Sequence, residues 1–324
     1  MNYRHAFHAG NFADVFKHAL LSRMLLYLVR KDAPLRYIDT HAGRGLYDLD
    51  DEAAQRTQEW RGGIGRLVAD QPDSEGGSLP GQEGMDRDGG AQELGSRLRG
   101  NERSESIQGD PTALFLLAPY LALVGPRGLE NRPARYPGSP VIAQRLLRPA
   151  DRLALNELHP QDAQALARTL GSDARVKITS LDAYVALNAF VPPRERRGLV
   201  LIDPAFEAED EFARALGALA KAHRKWPTGV YALWYPIKDQ AEADAFASTM
   251  ATSGIARALR LELLVERGPK RGRHDTPALV GCGLVVINPP FALQEEAEVI
   301  LTFLAQVLAN DGSGNWRVEW LAKE

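Results

Sequence analysis

The sequence has few features that could cross-link it or anchor it in a membrane. Its 324 residues include one cysteine, Cys282, which excludes a disulfide framework and a cysteine-rich zinc site. No apolar run approaches the roughly 20 residues that a membrane-spanning helix needs. The first ten residues are polar and lack a signal-peptide pattern. We therefore expect a cytoplasmic protein.

The chain also lacks an excess of positive charge. It has 39 basic and 42 acidic residues, for a formal net charge of −3. Proteins that bind polyanions non-specifically are usually basic overall, so any contact with a nucleic acid must come from a local patch. The length and the 44% hydrophobic content suit one large α/β domain with an insertion, or two domains.

Short apolar segments alternate with segments of helical periodicity along most of the chain. Residues 12–31 predict one long amphipathic helix, and residues 210–225 predict another. Seven strands are predicted, at residues 36–40, 153–157, 176–179, 199–203, 230–235, 259–266 and 282–288. The last two are separated by a polar loop without a helix, which indicates an antiparallel hairpin. This pattern predicts an α/β, Rossmann-like class I methyltransferase fold, with a mostly parallel seven-stranded sheet and a C-terminal antiparallel strand.

The connection between the first two strands, residues 46–150, is much longer than a simple crossover needs. Its middle part, residues 71–110, is rich in Gly, Ser, Asp and Glu, and we expect a flexible loop there. Residues 52–68 and 111–124 have helical patterns, which predict an inserted helical subdomain. The predicted division is residues 1–45 for the first part of the methyltransferase domain, 46–135 for the insertion and 136–324 for the remainder.

Polar residues follow the ends of several predicted parallel strands, where open α/β sheets bind ligands. The first strand ends in Asp39-Thr40-His41-Ala42-Gly43, whose small residues let a ligand approach the backbone. Turn glycines are common, so this signal is weak by itself. Glu157 can accept hydrogen bonds from ribose hydroxyls, and Asp182 can accept one from an adenine amine. A solvated acid and a helix cap are the simpler alternatives for these two residues.

The fourth strand ends in the most specific motif, Asp203-Pro204-Ala205-Phe206. Aminomethyltransferases use Asp or Asn followed by Pro-Pro and an aromatic residue. The exocyclic amine of adenine is a poor nucleophile because its lone pair is conjugated with the ring. An acid side chain and the proline carbonyl can accept its two hydrogens, while the aromatic ring stacks on a flipped-out base. Asp203, Pro204 and Phe206 are therefore the catalytic candidates, although Ala205 replaces the second proline and a plain strand-end turn is the alternative.

A second motif, Asn288-Pro289-Pro290-Phe291, matches that pattern better by letters alone. Its strand follows the hairpin and should run antiparallel, so its carboxyl end lies at the opposite edge of the sheet. The two edges are about one strand length apart, or roughly 17–20 Å. We therefore assign catalysis to Asp203 and expect Asn288 to cap the final helix, residues 293–308, or to turn the chain into it.

Several motifs along the chain together resemble the RlmJ family, which methylates N6 of one adenosine in 23S ribosomal RNA. They are Tyr3-Arg4-His5, His8-Ala9-Gly10-Asn11, Asp14, Lys17-His18, Asp39-Thr40-His41-Ala42-Gly43, Tyr136-Pro137-Gly138-Ser139-Pro140, Glu157-Leu158-His159-Pro160, Ala232-Leu233-Trp234-Tyr235-Pro236 and Ile287-Asn288-Pro289-Pro290. The resemblance implies S-adenosylmethionine as cofactor, 23S ribosomal RNA as partner, a helical insertion after the first strand and a monomer. Residues 71–110 are extra to the family pattern.

The resemblance also implies site residues. The cofactor set is His18, His41, Ser139, Glu157, Asp182, Ala183 and Asp203, with Ala183 in place of the family's glycine. Asp203 is implied as catalytic and Tyr3 as an RNA contact, and we expect Lys17 to contact RNA as well. The polar hairpin loop adds Lys270, Arg271 and Arg273, which we expect to meet RNA phosphates unless the loop is simply solvated.

The sequence leaves two other functions open and raises the question of a metal site. The motif chemistry fits a DNA adenine-N6 methyltransferase equally well, and Ala205 alone supports a nucleic-acid-binding protein with a vestigial cofactor site. Four of the seven histidines lie in the first 41 residues, but their spacing matches no familiar ligand pattern and no cysteine joins them. We therefore expect no metal.

Overall fold

The computed structural model describes residues 4–69, 110–125, 133–266, 268, 278–310 and 314–323. The α-helices of this part are α1 (Phe12–Leu28), α2 (Glu52–Thr57), α3 (Ile64–Ala69), α4 (Pro111–Val124), α5 (Ser139–Leu146), α6 (Pro160–Leu170), α7 (Ala183–Phe190), α8 (Glu211–Lys225), α9 (Gln240–Ala251) and α10 (Leu293–Leu308). Short 3-10 helices span His5–Phe7 and Glu59–Gly62. None of the helices in these ranges is long and apolar enough to cross a membrane.

The strands form one large sheet and one small sheet. They are β1 (Arg36–Asp39), β2 (Leu46–Asp48), β3 (Arg135–Pro137), β4 (Arg152–Asn156), β5 (Val176–Thr179), β6 (Gly198–Ile202), β7 (Val230–Ile237), β8 (Ala258–Leu264), β9 (Gly281–Ile287) and β10 (Asn315–Ala322). The large sheet has the order β10-β8-β9-β7-β6-β1-β4-β5, and β2 pairs with β3 in the small one.

The large sheet confirms the predicted fold class. Strands β5, β4, β1, β6 and β7 are parallel, and β9 inserts antiparallel between β7 and β8. All seven predicted strands are present, but the sheet has eight strands and not seven. The additional strand, β10, pairs antiparallel with β8 at the edge. Its side chains are only partly buried, so its apolar signal is weaker than that of the central strands.

The inserted elements lie between β1 and β4 in the chain. The helical patterns at residues 52–68 and 111–124 correspond to α2, α3 and the intervening 3-10 helix, and to α4. The pairing of β2 with β3 brings the two ends of this connection together, with Tyr47 opposite Tyr136. Most of the predicted flexible loop lies outside the described residues, and the division into domains stays a prediction.

Helix α1 differs from its predicted amphipathic character. It contacts α4, α5 and α10 as well as β6 and β9, so it is covered on nearly all sides. Its buried residues therefore include Asp14, Lys17, His18 and Ser22 together with the apolar ones. Buried charges need partners, since desolvating a lone ion is very costly. Some of the partners of these side chains lie at the carboxyl edge of the sheet.

Candidate active site

The carboxyl ends of β1, β4, β5 and β6 lie side by side. Asp39 pairs with Leu155 on one side and with Leu201 on the other, and Asn156 pairs with Thr179. The residues that follow these strands, including His41, Glu157, Asp182 and Asp203, are therefore brought to one edge. This grouping follows from the parallel topology that the sequence predicts.

At the end of β1, the Asp39 carboxylate is fully buried among hydrogen-bond donors. Ser139 Oγ donates to it at 2.7 Å, Tyr37 OH at 2.8 Å and the backbone N–H of His41 at 3.2 Å. Burial outweighs these bonds and raises the pKa of Asp39 to about 6. Ser139 is the first residue of α5, so its hydroxyl ties that helix to the strand end.

The Glu157 carboxylate bridges two loops. It accepts the backbone N–H of Gly43 and that of His159, each at 2.7 Å. Burial raises its pKa. The next residue, Leu158, and Leu181 beyond β5 expose 44% and 40% of their surfaces, although both are large and apolar. This edge of the sheet therefore carries both a carboxylate and exposed apolar side chains.

Asp182 acts as a helix cap. Its Oδ1 accepts the backbone N–H groups of Tyr184 and Val185, each at 3.0 Å, at the start of α7. Ala183 is the buried first residue of that helix. Asp182 therefore caps α7, which is the simpler alternative that the sequence suggests. Its contact with an adenine amine stays a prediction.

Asp203 follows β6 and is held by two neighbouring elements. Its backbone N–H donates to His41 Nδ1 at 3.3 Å, and Lys17 Nζ donates to its Oδ2 at 2.6 Å. Burial lowers the pKa of His41 to about 4, so this imidazole is neutral at pH 7 and can accept that bond. Pro204 is buried, and Phe206 has a φ of +51°.

The Phe206 ring belongs to an aromatic cluster. It lies 4.6 Å from the Phe212 ring and 6.0 Å from the Trp234 ring, centroid to centroid. These contacts hold the ring in place without burying it completely.

Lys17 connects two carboxylates. Its side chain lies in the interior, 5% exposed, with Nζ 3.0 Å from Asp14 Oδ1 as well as 2.6 Å from Asp203 Oδ2. Burial alone would lower its pKa, but the two carboxylates raise it above the ordinary value. The ammonium of Lys17 thus contacts two internal carboxylates, and its expected contact with RNA stays a prediction.

Asp14 is the centre of this network. His5 Nε2 lies 2.9 Å from its Oδ2, and the backbone N–H of Gly10 donates to the same oxygen at 2.9 Å. Burial would raise the pKa of Asp14, but His5 and Lys17 hold it well below the usual range. Asp14 belongs to one of the motifs that resemble the RlmJ family, but it is not among the predicted site residues. Its spacing to Lys17 and His18, three and four residues on, places all three on one helix face and was the available signal.

His18, four residues after Asp14 on α1, is also buried. It is 1% exposed, and its Nδ1 is 2.7 Å from Tyr136 OH, which is in turn 2.9 Å from Tyr120 OH. Burial lowers its pKa to about 3, so the ring is neutral. Its predicted cofactor contact stays a prediction.

The rival motif lies at the opposite edge of the sheet. Ile287, the last residue of β9, pairs with Tyr231 near the start of β7. Asn288 Nδ2 donates to the carbonyls of Pro227 and Gly229, each at 2.8 Å, and its φ is +52°. Asn288 therefore turns the chain, as expected. It does not cap α10, whose N-cap is Ala292.

Four predicted RNA contacts, Tyr3, Lys270, Arg271 and Arg273, lie outside the described residues. The strand that leads to the last three, β8, is antiparallel to β9 and thus parallel to β7, so its end, Leu264, lies at the same edge as Asp203. Within the described ranges, no group of three or more His, Cys, Asp or Glu side chains could hold a metal ion.

Comparisons with known proteins agree on one family. A family model described as RsmJ, Ribosomal RNA large subunit methyltransferase D, RlmJ, matches residues 32–75 and 95–322. Two curated relatives named Ribosomal RNA large subunit methyltransferase J, from Haemophilus influenzae and Escherichia coli K12, are each 34% identical over 100% of both chains. A crystal structure of a Legionella pneumophila protein has a TM-score of 0.75 at 33% identity, covering 96% of this chain and 98% of that one.

Proposed function

Because this chain belongs to the RlmJ family of ribosomal RNA large subunit methyltransferases, we propose that it transfers a methyl group from S-adenosylmethionine to N6 of one adenosine in 23S ribosomal RNA. The observation that carries the proposal is the position of Asp203. It lies beside His41 at the same sheet edge as Glu157 and is bonded to a buried lysine. A substrate that is part of the ribosome implies a cytoplasmic enzyme, and a monomer stays a prediction.

The residues at this edge suit S-adenosylmethionine. The cofactor is a cation at sulfur and carries a ribose and an adenine, so it needs carboxylates, hydroxyl acceptors and an apolar slot. We assign Glu157 to the ribose and Asp182 to the adenine amine, with Leu158 and Leu181 against the adenine ring. When bound, the cofactor supplies an electrophilic methyl group.

The chain's own residues then activate the amine. Lys17 holds Oδ2 of Asp203, and we assign Oδ1 and the Pro204 carbonyl to the two hydrogens of N6. These acceptors draw the nitrogen toward tetrahedral geometry and expose its lone pair, while Phe206 stacks on the flipped-out base. Methyl transfer to N6 would break the bond between the methyl carbon and the cofactor sulfur and leave a neutral thioether, and Asp203 would accept the proton that N6 then loses. Positioning supplies much of the rate.

The test is transfer of a tritiated methyl group from S-adenosylmethionine to unmodified 23S RNA, followed by mapping of the product. We expect one labelled adenosine, methylated at N6. Labelling of duplex DNA instead would support the DNA methyltransferase alternative. Cofactor binding by calorimetry without transfer to either nucleic acid would contradict the proposal, and absence of cofactor binding would favour the vestigial-site alternative.

A further inference from the structure

One acidic side chain outside the large sheet, that of Glu59, contacts the N-terminal turn, residues 5–11. Glu59 lies in the 3-10 helix between α2 and α3, in the segment inserted after β1. Its carboxylate oxygens lie 3.0 and 2.9 Å from His8 Nδ1, and Oε2 also accepts a hydrogen bond from Asn11 Nδ2 at 3.1 Å. One carboxylate thus contacts two residues of the turn.

Asn11 connects this contact to α1. Its side chain is the N-cap of that helix, and its Oδ1 accepts the backbone N–H of Asp14 at 3.0 Å. Asp14 in turn contacts Lys17, whose ammonium bonds to Asp203. Consecutive polar contacts through Asn11, Asp14 and Lys17 therefore connect Glu59 to Asp203. The contact between Glu59 and His8 fixes the turn that carries His5.

The backbone packing around Glu59 leaves the turn little freedom. The N–H of Ile64 donates to the Gly10 carbonyl at 2.8 Å, and Thr57 Oγ1 donates to the Phe7 carbonyl. A Cβ added to Gly63 would lie 2.2 Å from the Gly10 carbonyl oxygen, so the two backbones are in direct contact. The charges agree with this geometry. Burial alone would lower the pKa of His8 and raise that of Glu59, but the contact between the two side chains raises the pKa of His8 and lowers that of Glu59.

From this geometry we infer that Glu59 is a positioning residue for methyl transfer, through which the inserted segment orients the N-terminal turn and the start of α1 toward Asp203. The inference rests on the proposed function. It extends that function because Glu59 itself stands away from the reacting atoms and acts through His8 and Asn11.

The test uses Glu59→Gln in the full chain, with Glu52→Gln as the matched control. Glu52 is an exposed acid at the start of α2, in the same inserted segment. We expect Glu59→Gln to lower kcat at least about ten-fold, equivalent to ~1.4 kcal/mol of barrier. Cofactor affinity by calorimetry and the melting temperature should stay close to the control. The ring-nitrogen NMR signals of His5 should shift in Glu59→Gln and not in Glu52→Gln.

If Glu59→Gln folds poorly, His8→Gln tests the same contact by changing the partner of Glu59. Because both variants remove one pair, the double variant should lose little more kcat than the worse single variant. Glu59→Asp, which keeps the carboxylate, should recover part of the rate. The inference is overturned if Glu59→Gln turns over like Glu52→Gln, or if its loss only tracks the unfolded fraction. Wild-type protein without any transfer would instead overturn the proposed function.

Discussion

At the scale of single residues, strand direction distinguishes two motifs of similar sequence. Asp203→Ala should abolish methyl transfer, because it removes the acceptor for the N6 hydrogens, and should also lower stability, because Lys17 would keep only Asp14 as its counter-charge. Asn288→Ala should keep most activity, because its amide only bonds carbonyls before β7 at the other edge. The loss of those bonds should cost about 0.5–1.5 kcal/mol each in stability. Turnover and urea unfolding of both variants provide the measurement, and an inactive but stable Asn288→Ala protein would contradict the assignment.

Lys17 shows where residue-level prediction reaches its limit. Polar residues after strand ends could be grouped in advance, because strand direction alone determines their edge. The burial of Lys17 could not be predicted, because a charged residue on a helix normally faces solvent. It is stable inside only because Asp14, one helical turn away, and Asp203, 186 residues further along the chain, both reach its ammonium. Such a pairing depends on tertiary contacts that no local pattern contains.

At the scale of elements, the unpredicted strand β10 depends on a buried charge. Arg260 of β8 is 3% exposed and contacts Glu262, Asp244 and Glu319, the last of which lies on β10. Local patterns identified the central strands by their apolar runs, but β10 is partly exposed and pairs on one side only. Its place at the edge therefore rests on this network as well as on its ladder with β8.

Arg260→Leu should consequently destabilise the protein by about 3–5 kcal/mol, because Glu262, which is fully buried, would lose its closest counter-charge. The control is Arg317→Leu. Arg317 contacts the same three acids but is 36% exposed, so its loss should cost about 0–1 kcal/mol. Urea unfolding measures both, and methylation per folded molecule should not change. Equal effects of the two variants would refute a stabilising role for the buried arginine.

At the scale of the whole molecule, a net charge of −3 requires that the chain attract RNA locally. The edge that carries Asp203 also receives the end of β8, so the segment that follows Leu264 begins there. Lys270, Arg271 and Arg273 belong to that segment, and their effect on RNA can be measured although they lie outside the described residues. The direction of β8 was predictable from the hairpin pattern, whereas the path of the loop itself was not.

Replacing Lys270, Arg271 and Arg273 together by Ala should weaken RNA binding and flatten its dependence on salt. Each lost phosphate contact should reduce the slope of log K against log salt by roughly 0.7 if the RNA there is single-stranded. The control replaces Arg194, Lys221 and Arg224, three exposed cations before β6 and in the last turns of α8, hence toward the opposite edge of the sheet. Both variants lose the same formal charge, so a general field effect would alter them equally. An unchanged slope in the loop variant, or equal slopes in the two, would show that this segment does not contact RNA phosphates.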